Sequence, residues 1–422
     1  MKYAQPRNKP VTRQVILALA AACCAIATAH CPAAEETQKP SIQYVPVTAP
    51  AEAPKGIWMS AVIVDEMPLV YTRQLYAMDG EGKLVGEGSA EKQIEQVLTN
   101  LEAVLKDSGS GLDKLIRVNV YALSQAIVAD FHEQLAKRLD ASVRPATTSI
   151  LTPLPQQGAL VAVDAVAGAA DAGKTVTLKR CKTVAGNDKC ADAAVLPAGG
   201  IAYLSGNPEV FSLTTLPTTK SMTRLMKTLE QLKLSPKDVV QVRVFLNPVT
   251  PAQDVLAEIQ AFFPDQPTPP VVFVEWLASM PVEIEMVAQL PPSDKPAKGV
   301  EYFDPPEFRP DSTFSRVGLM RAKQQIFISG LYSSKPTRGQ PQADDLFGQL
   351  KEILAKHGSD MRHLVRATYF TSDDDAARWI DKTRFIVFDE TRPPAASKLM
   401  VHGVGLPGRS MTVDIIAVET EK

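Results

Sequence analysis

Residues Leu115 to Ala122 read LIRVNVYA. The stretch nearly alternates, is rich in β-branched and aromatic side chains, and lies between two amphipathic segments. That pattern predicts a half-buried strand between two helices. It returns as VVQVRVFL over 239–246 and as LVRATYFT over 364–371, at offsets of 124 and 125 residues. A chain with this internal period is one unit written three times. Each copy, about 120 residues long, is large enough to own a core.

The same elements surround each central strand. Upstream runs an apolar stripe at helical spacing, beginning with Ile94, Val97 and Leu98, with Met222, Leu225 and Met226, and with Leu346, Phe347 and Leu350. One stripe per helix predicts one buried face, set against a sheet. Gly109 and Gly358 fit left-handed C-caps. Further upstream, LVYTRQLYAMDGEGKLVGEG, IAYLSGNPEV and IFISGLYSS read as a strand with a turn. Downstream comes a second helix, with Ser124, Thr250 and Ser372 as candidate N-caps. Each copy closes on an alternating strand: VAVDAVAG from Val161, VEIEMVAQ from Val282 and MTVDIIAV from Met411. The order β-β-α-β-α-β-β predicts an α+β sandwich. Strict alternation puts Ile116, Val118 and Val120 on the helix-facing side. Arg117, Arg243 and Arg366 then share the other side, which would face a common three-fold axis.

The expected organisation is a signal peptide over 1–33, a linker over 34–54, and repeat units over 55–170, 171–292 and 293–422. Four basic residues and no acid precede the apolar run Val15 to Ala29, and small residues follow it. This is the pattern of a leader for export, with lipidation at Cys23 or Cys24 as the less favoured alternative. The formal net charge is −2, and there is no Lys/Arg cluster. Such a chain is a poor partner for nucleic acid or anionic membranes. Cys181 and Cys190 flank a Gly-Asn-Asp turn in the first join. In an exported protein they would form a disulfide that staples a hairpin. The second join, rich in proline, reads as a stiff surface connector. His132, His357, His363 and His402 show no metal-ligand spacing, and no phosphate cradle or cofactor motif stands out, so neither metal nor cofactor is expected.

The units resemble the RidA/YjgF family of small imine deaminases. The resemblance rests on the turns Ser205-Gly206-Asn207 and Ser329-Gly330-Leu331, on the central strand, and on the Pro-Ala segments before the closing strands. It covers nearly all of 55–420, three times over. It implies three chorismate-mutase-like units forming an intrachain pseudo-trimer, with small-molecule pockets at the inter-unit clefts. It also implies an arginine for the carboxylate of a 2-imino acid. Thr147, Val271 and Ala396 stand at that arginine's position, so all three copies lack it. Arg73, which replaces the small glycine of the first turn, and Arg392 are the nearest substitute cations; Arg144 has the wrong strand parity. The family's functional acid in the closing strand is matched here to Asp164, Glu285 and Asp414. These carboxylates could act as general bases or satisfy the central-strand arginines as ion pairs. Two readings of function stay open. One is an exported, divergent imine/enamine deaminase-type hydrolase. The other is a non-catalytic small-molecule-binding or protein-interaction module, monomeric because its trimer is covalent.

Overall fold

The first repeat contributes β1 (Ile42–Val47), β2 (Met59–Asp65), β3 (Leu69–Thr72), β4 (Leu75–Tyr76), α1 (Ala90–Asp107), β5 (Leu115–Ala122), α2 (Gln125–Arg138), β6 (Ala146–Leu151) and β7 (Val161–Gly168). The second contributes β8 (Thr177–Lys179), β9 (Ala193–Leu196), β10 (Ile201–Glu209), α3 (Pro217–Gln231), β11 (Val239–Leu246), α4 (Ala252–Gln260), β12 (Val271–Glu275) and β13 (Val282–Gln289). The third contributes β14 (Gly299–Phe303), β15 (Val317–Arg321), β16 (Gln324–Leu331), α5 (Gln340–Lys356), β17 (Leu364–Thr371), α6 (Asp374–Val387), β18 (Ala395–Met400), β19 (Gly403–Val404) and β20 (Met411–Val418). This computed structural model describes residues 1, 41–54, 57–293, 299–309 and 311–420. Apart from Met1, the expected leader over 1–33 lies outside the described residues.

Three mixed sheets result, in the orders β19-β6-β5-β7-β3-β9-β8 (with β4 on β7), β12-β11-β13-β10-β15-β14 and β1-β2-β16-β20-β17-β18. In each, the central strand lies antiparallel to the closing strand and parallel to the strand after the second helix. The registers place Asn119 opposite Asp164, Arg243 opposite Glu285 and Thr368 opposite Asp414.

The expected hairpins open instead of closing on themselves. β15 and β16 are separated by two residues, yet β15 pairs with β10 of the second repeat and β16 with β2 of the first. Likewise β9 leaves β10 and pairs with β3. Each repeat lends its leading strands to the sheet of the repeat before it, and the first lends its own to the third. This is a closed three-way strand exchange, the intramolecular form of a domain swap. Two expectations change with it. The stretch 34–54, read as a linker, carries the edge strand β1, whose Tyr44 hydroxyl donates to the Leu115 carbonyl at 2.8 Å. The second join, read as a connector, carries β14 paired with β15.

Two apolar clusters lie between the first two sheets and their helices, a third packs α5 and α6 on the remaining sheet and extends to Tyr121, Phe245 and Val274 of the other repeats, and a fourth draws residues from all three sheets. Ile116, Val240 and Val365 belong to that fourth, axial cluster, whereas Val118 and Val120 face the helices. Ile116 therefore departs from strict alternation. A register shift in each central strand, between Leu115 and Arg117, Val239 and Gln241, and Leu364 and Arg366, is the cause. One extra residue lets two successive side chains face the same way, so Ile116 and Arg117 both turn toward the axis.

Helix ends follow local chemistry. Ser124 caps α2 through the Ile127 amide, but Asp373, not Ser372, caps α6, and Pro251 stands before α4. Gly109 and Gly358 adopt φ of 77° and 71° after α1 and α5. Lys233 takes the same left-handed conformation after α3, at φ 60°.

Candidate functional site: three unlike inter-unit clefts

The central-strand arginines and the closing-strand carboxylates meet across the units. Arg117 Nη2 lies 2.6 Å from Asp414 Oδ1. Arg243 bridges Asp164 at 3.3 Å and Glu285 at 3.6 Å, and Arg366 pairs closely with Glu285. In each primary pair the arginine comes from one repeat and the acid from the repeat before it, the same cyclic order as the strand exchange. Asp164 also accepts from Asn119 at 3.0 Å and from the Tyr121 hydroxyl at 2.5 Å, and Glu285 accepts from Ser397 at 2.9 Å. All six charged residues are buried. The surrounding carboxylates and Tyr121 hold the Arg243 pKa above its ordinary value despite burial. Arg117 is pushed down by desolvation, which Asp414 opposes. A carboxylate held by a buried guanidinium is a structural tie.

The Thr72-Arg73-Gln74 turn after β3, and the matching segments that form register irregularities within β10 and β16, each face the following repeat and form a cleft with it. In the first cleft, the Thr72-Arg73-Gln74 turn packs on β12: the Gln74 amide donates to the Val271 carbonyl at 3.1 Å, and Gln74 Oε1 accepts from the Phe273 amide at 3.1 Å. A cavity of about 120 Å³ remains, lined by Arg73, Gln74, Tyr76, Cys190, Val271 and Phe273 among others. Arg73 and Val271 are thus brought together. The Arg73 guanidinium is already committed to Asp192 at 2.7 Å and to the carbonyls of Gln74 and Ala185 at 2.9 and 2.6 Å.

The third cleft joins Ser329-Gly330-Leu331 to β6. Gly330, at φ 48°, lies so close that a Cβ would fall 2.3 Å from the Thr147 carbonyl oxygen. Thr147 Oγ1 reaches the Trp58 carbonyl at 3.4 Å. Beside it His132 is buried and held neutral, its pKa pushed down to about 4 by desolvation, with Nε2 3.1 Å from Ser149 Oγ. Arg144 lies outside, over the Trp58 ring. Arg392 lies away from the family position, in an open pocket of about 550 Å³ with Tyr302, Asp360 and His363.

The second cleft is chemically different. Ser205 Oγ accepts from the Ala396 amide at 2.8 Å and donates to the Ser315 carbonyl at 2.5 Å. Directly over Gly206 sits the carboxyl of Glu283, so close that a Cβ on Gly206 would collide with it. Burial, and then the charge of Glu285 two residues on, push the Glu283 pKa up to about 8; Ser397 and Arg316 oppose the shift. The corresponding residues of the other closing strands are Ala162 and Thr412. Glu283 was not singled out from sequence. The signal was there, two acids at i and i+2 of VEIEMVAQ, but only burial tells which of them is paired and which stands in the cleft.

The expected staple is absent. Cys181 and Cys190 are both free thiols. Residues 189 and 191 hydrogen-bond the backbone of Thr268 in the second repeat, which draws Cys190 toward Gln260 Nε2 at 3.0 Å. Cys181 turns into the core beside Thr183 Oγ1 at 3.3 Å. Among the described residues no cluster of three His, Cys, Asp or Glu could hold a metal ion, and no helix is long and apolar enough to cross a membrane.

Comparison with known proteins shows what the chain is similar to in sequence. The family model described as Endoribonuclease L-PSP matches residues 49–169, 190–290 and 307–419. A RutC family protein of Synechocystis is 30% identical over 121 residues, covering 28% of this chain and 92% of that protein. Protein HMF1 of Saccharomyces cerevisiae is 31% identical over 91 residues, covering 22% of this chain and 69% of that protein. A solved structure of a YjgF-family protein from Neisseria meningitidis, 21% identical, covers 30% of this chain and 99% of its own, with a TM-score of 0.23. The chain belongs to the RidA/YjgF family, the Endoribonuclease L-PSP group, and carries three tandem copies of its unit in one polypeptide.

Proposed function

We propose that the protein is a divergent imine/enamine hydrolase that works in its second cleft, with Glu283 as the proton-transfer group. One observation carries this reading: Glu283 is a buried carboxyl with a pKa of about 8, set over Gly206 at an inter-unit cleft. A group that exchanges its proton near neutral pH is suited to general acid–base work. Asp164, Glu285 and Asp414 are engaged by arginines and serve as ties between units in this reading. Protonated Glu283 gives its proton to the imine nitrogen. Its carboxylate then takes a proton from the water that attacks the carbon, giving a carbinolamine. The same carboxyl protonates the amine, the C–N bond breaks to release ammonia, and the proton of the nascent carbonyl returns to Glu283. The net change is one imine and one water to one carbonyl compound and one ammonia.

The first and third clefts have no such acid and are assigned a structural role. The alternative, a ligand-binding module without turnover, is favoured by the lack of a guanidinium at Thr147, Val271 and Ala396. Ammonia release from small imines by the wild-type protein and by Glu283→Gln separates the two, since only a hydrolase loses activity with the proton. We also propose that the chain is exported after cleavage of its leader and works as a monomer on a small molecule, without nucleic acid, cofactor or metal. The N-terminal sequence and mass of protein recovered from an exporting host test this; an intact, cell-retained leader would count against it.

A further inference from the structure

The second cleft contains a cation that the family pattern does not call for. Arg316 immediately precedes β15, the strand the third repeat lends to the second repeat's sheet. Its carbonyl accepts the Ser205 amide at 2.8 Å. Ser205 Oγ in turn links the neighbouring Ser315 carbonyl to the amide of Ala396, where the family's arginine would stand. Strand exchange thus brings Arg316 to the same turn from a different element.

The Arg316 guanidinium is positioned but unused. It sits between the rings of Phe308 and Phe314, its Cζ 4.4 and 4.8 Å from their centroids. Aromatic faces orient a guanidinium without consuming its N–H donors. Among the described residues it makes no hydrogen bond or ion pair. Arg73 is already spent, and Arg117, Arg243 and Arg366 are locked in pairs. The charges that act on Arg316 are Asp304, Asp311, Arg224 and Glu283. Asp304 accepts its backbone amide at 2.7 Å, Asp311 caps Thr313, and Arg224 is paired with Glu209 at 2.7 Å. Glu283 is uncharged below a pH of about 8. The guanidinium therefore has donors to spare for a planar oxyanion.

We propose that Arg316 is the anion-binding residue of the second cleft and holds a carboxylate of the ligand from the segment that pairs beside the vacant position 396. The proposal rests on the reading that this cleft is where the ligand binds. A two-pronged guanidinium–carboxylate contact distinguishes an acid from its amide.

Calorimetric binding of pyruvate and of pyruvamide to the full-length protein tests it. Wild type should prefer pyruvate. Arg316→Gln should weaken pyruvate by about tenfold to a hundredfold and leave pyruvamide unchanged. Arg316→Lys, which keeps the charge but not the fork, should bind pyruvate several-fold more weakly, and keeps the test alive if the Gln variant does not fold. Adding Ala396→Arg to Arg316→Gln should restore the preference. Equal pyruvate affinity in wild type and both Arg316 variants, or no preference of the wild type for acid over amide, overturns the proposal. Pyruvate binding through Arg316 without ammonia release from imines would instead overturn only the hydrolase reading.

Discussion

Arg117 and Asp414, from the first and third repeats, meet at 2.6 Å with almost no exposure to solvent. They close a ring of contacts that also runs from the second repeat to the first through Arg243 and Asp164, and from the third to the second through Arg366 and Glu285. The ring and the strand exchange follow one cyclic order, so the repeats are bound to one another twice, by backbone pairing and by charge. Removing one partner of a buried pair strands the other charge. Arg117→Met is expected to cost about 3–5 kcal/mol in urea unfolding. The double variant Arg117→Met/Asp414→Leu should cost clearly less than the sum of the two single changes. Strict additivity would show that the two side chains are not coupled.

Lys233 occupies the left-handed position that Gly109 and Gly358 hold in the other repeats. A side chain there costs about 1–2 kcal/mol in conformational strain, part of which is offset by the greater unfolded-state freedom of glycine. Lys233→Gly should therefore stabilise the protein by about 0.5–1 kcal/mol in thermal or urea unfolding. A loss of stability would contradict the assigned backbone conformation.

The thiols give a covalent check. Without reductant, both Cys181 and Cys190 should be alkylatable, Cys190 in the native state and the buried Cys181 only as the protein opens. Finding the two residues in one disulfide-linked peptide would overturn the arrangement of this loop.

Much of the architecture was legible in the chain itself. The spacing of Ile94, Val97 and Leu98, and of their counterparts, gave the helices and their buried faces, and the offset between LIRVNVYA and its copies gave the repeat. Partner choice was not legible. The alternation of Val317–Arg321 shows which face is buried but not whether the strand pairs with Gln324–Leu331 beside it or with Ile201–Leu204 of another repeat. The axial placement of Ile116 was hidden for a related reason, since a bulge leaves no mark on an alternating run. Arg316 was passed over because its importance comes from the exchange. In sequence it follows the proline-rich join, far from Ser205 and Ala396.

Glu283 should give stability a characteristic pH dependence. Its carboxyl is raised from 4.5 to about 8 in the folded protein. Between those values the folded state holds a proton that the unfolded chain has released, so this group's contribution to stability falls as pH rises through that window. Glu283→Gln should remove that part of the slope and leave the variant more stable than wild type at pH 8–9, by about 2–4 kcal/mol. Identical pH–stability profiles for the two proteins would show that Glu283 titrates normally.

The most direct measurement is the rate of ammonia and pyruvate release from 2-iminopropanoate, generated in situ, with wild-type protein and with Glu283→Gln. The wild type should accelerate hydrolysis above the spontaneous rate, and Glu283→Gln should lose about 10²-fold or more of that acceleration. Asp414→Asn should keep it wherever that variant remains folded. No acceleration by the wild type, or full activity in Glu283→Gln, would contradict the assignment of hydrolysis to the second cleft.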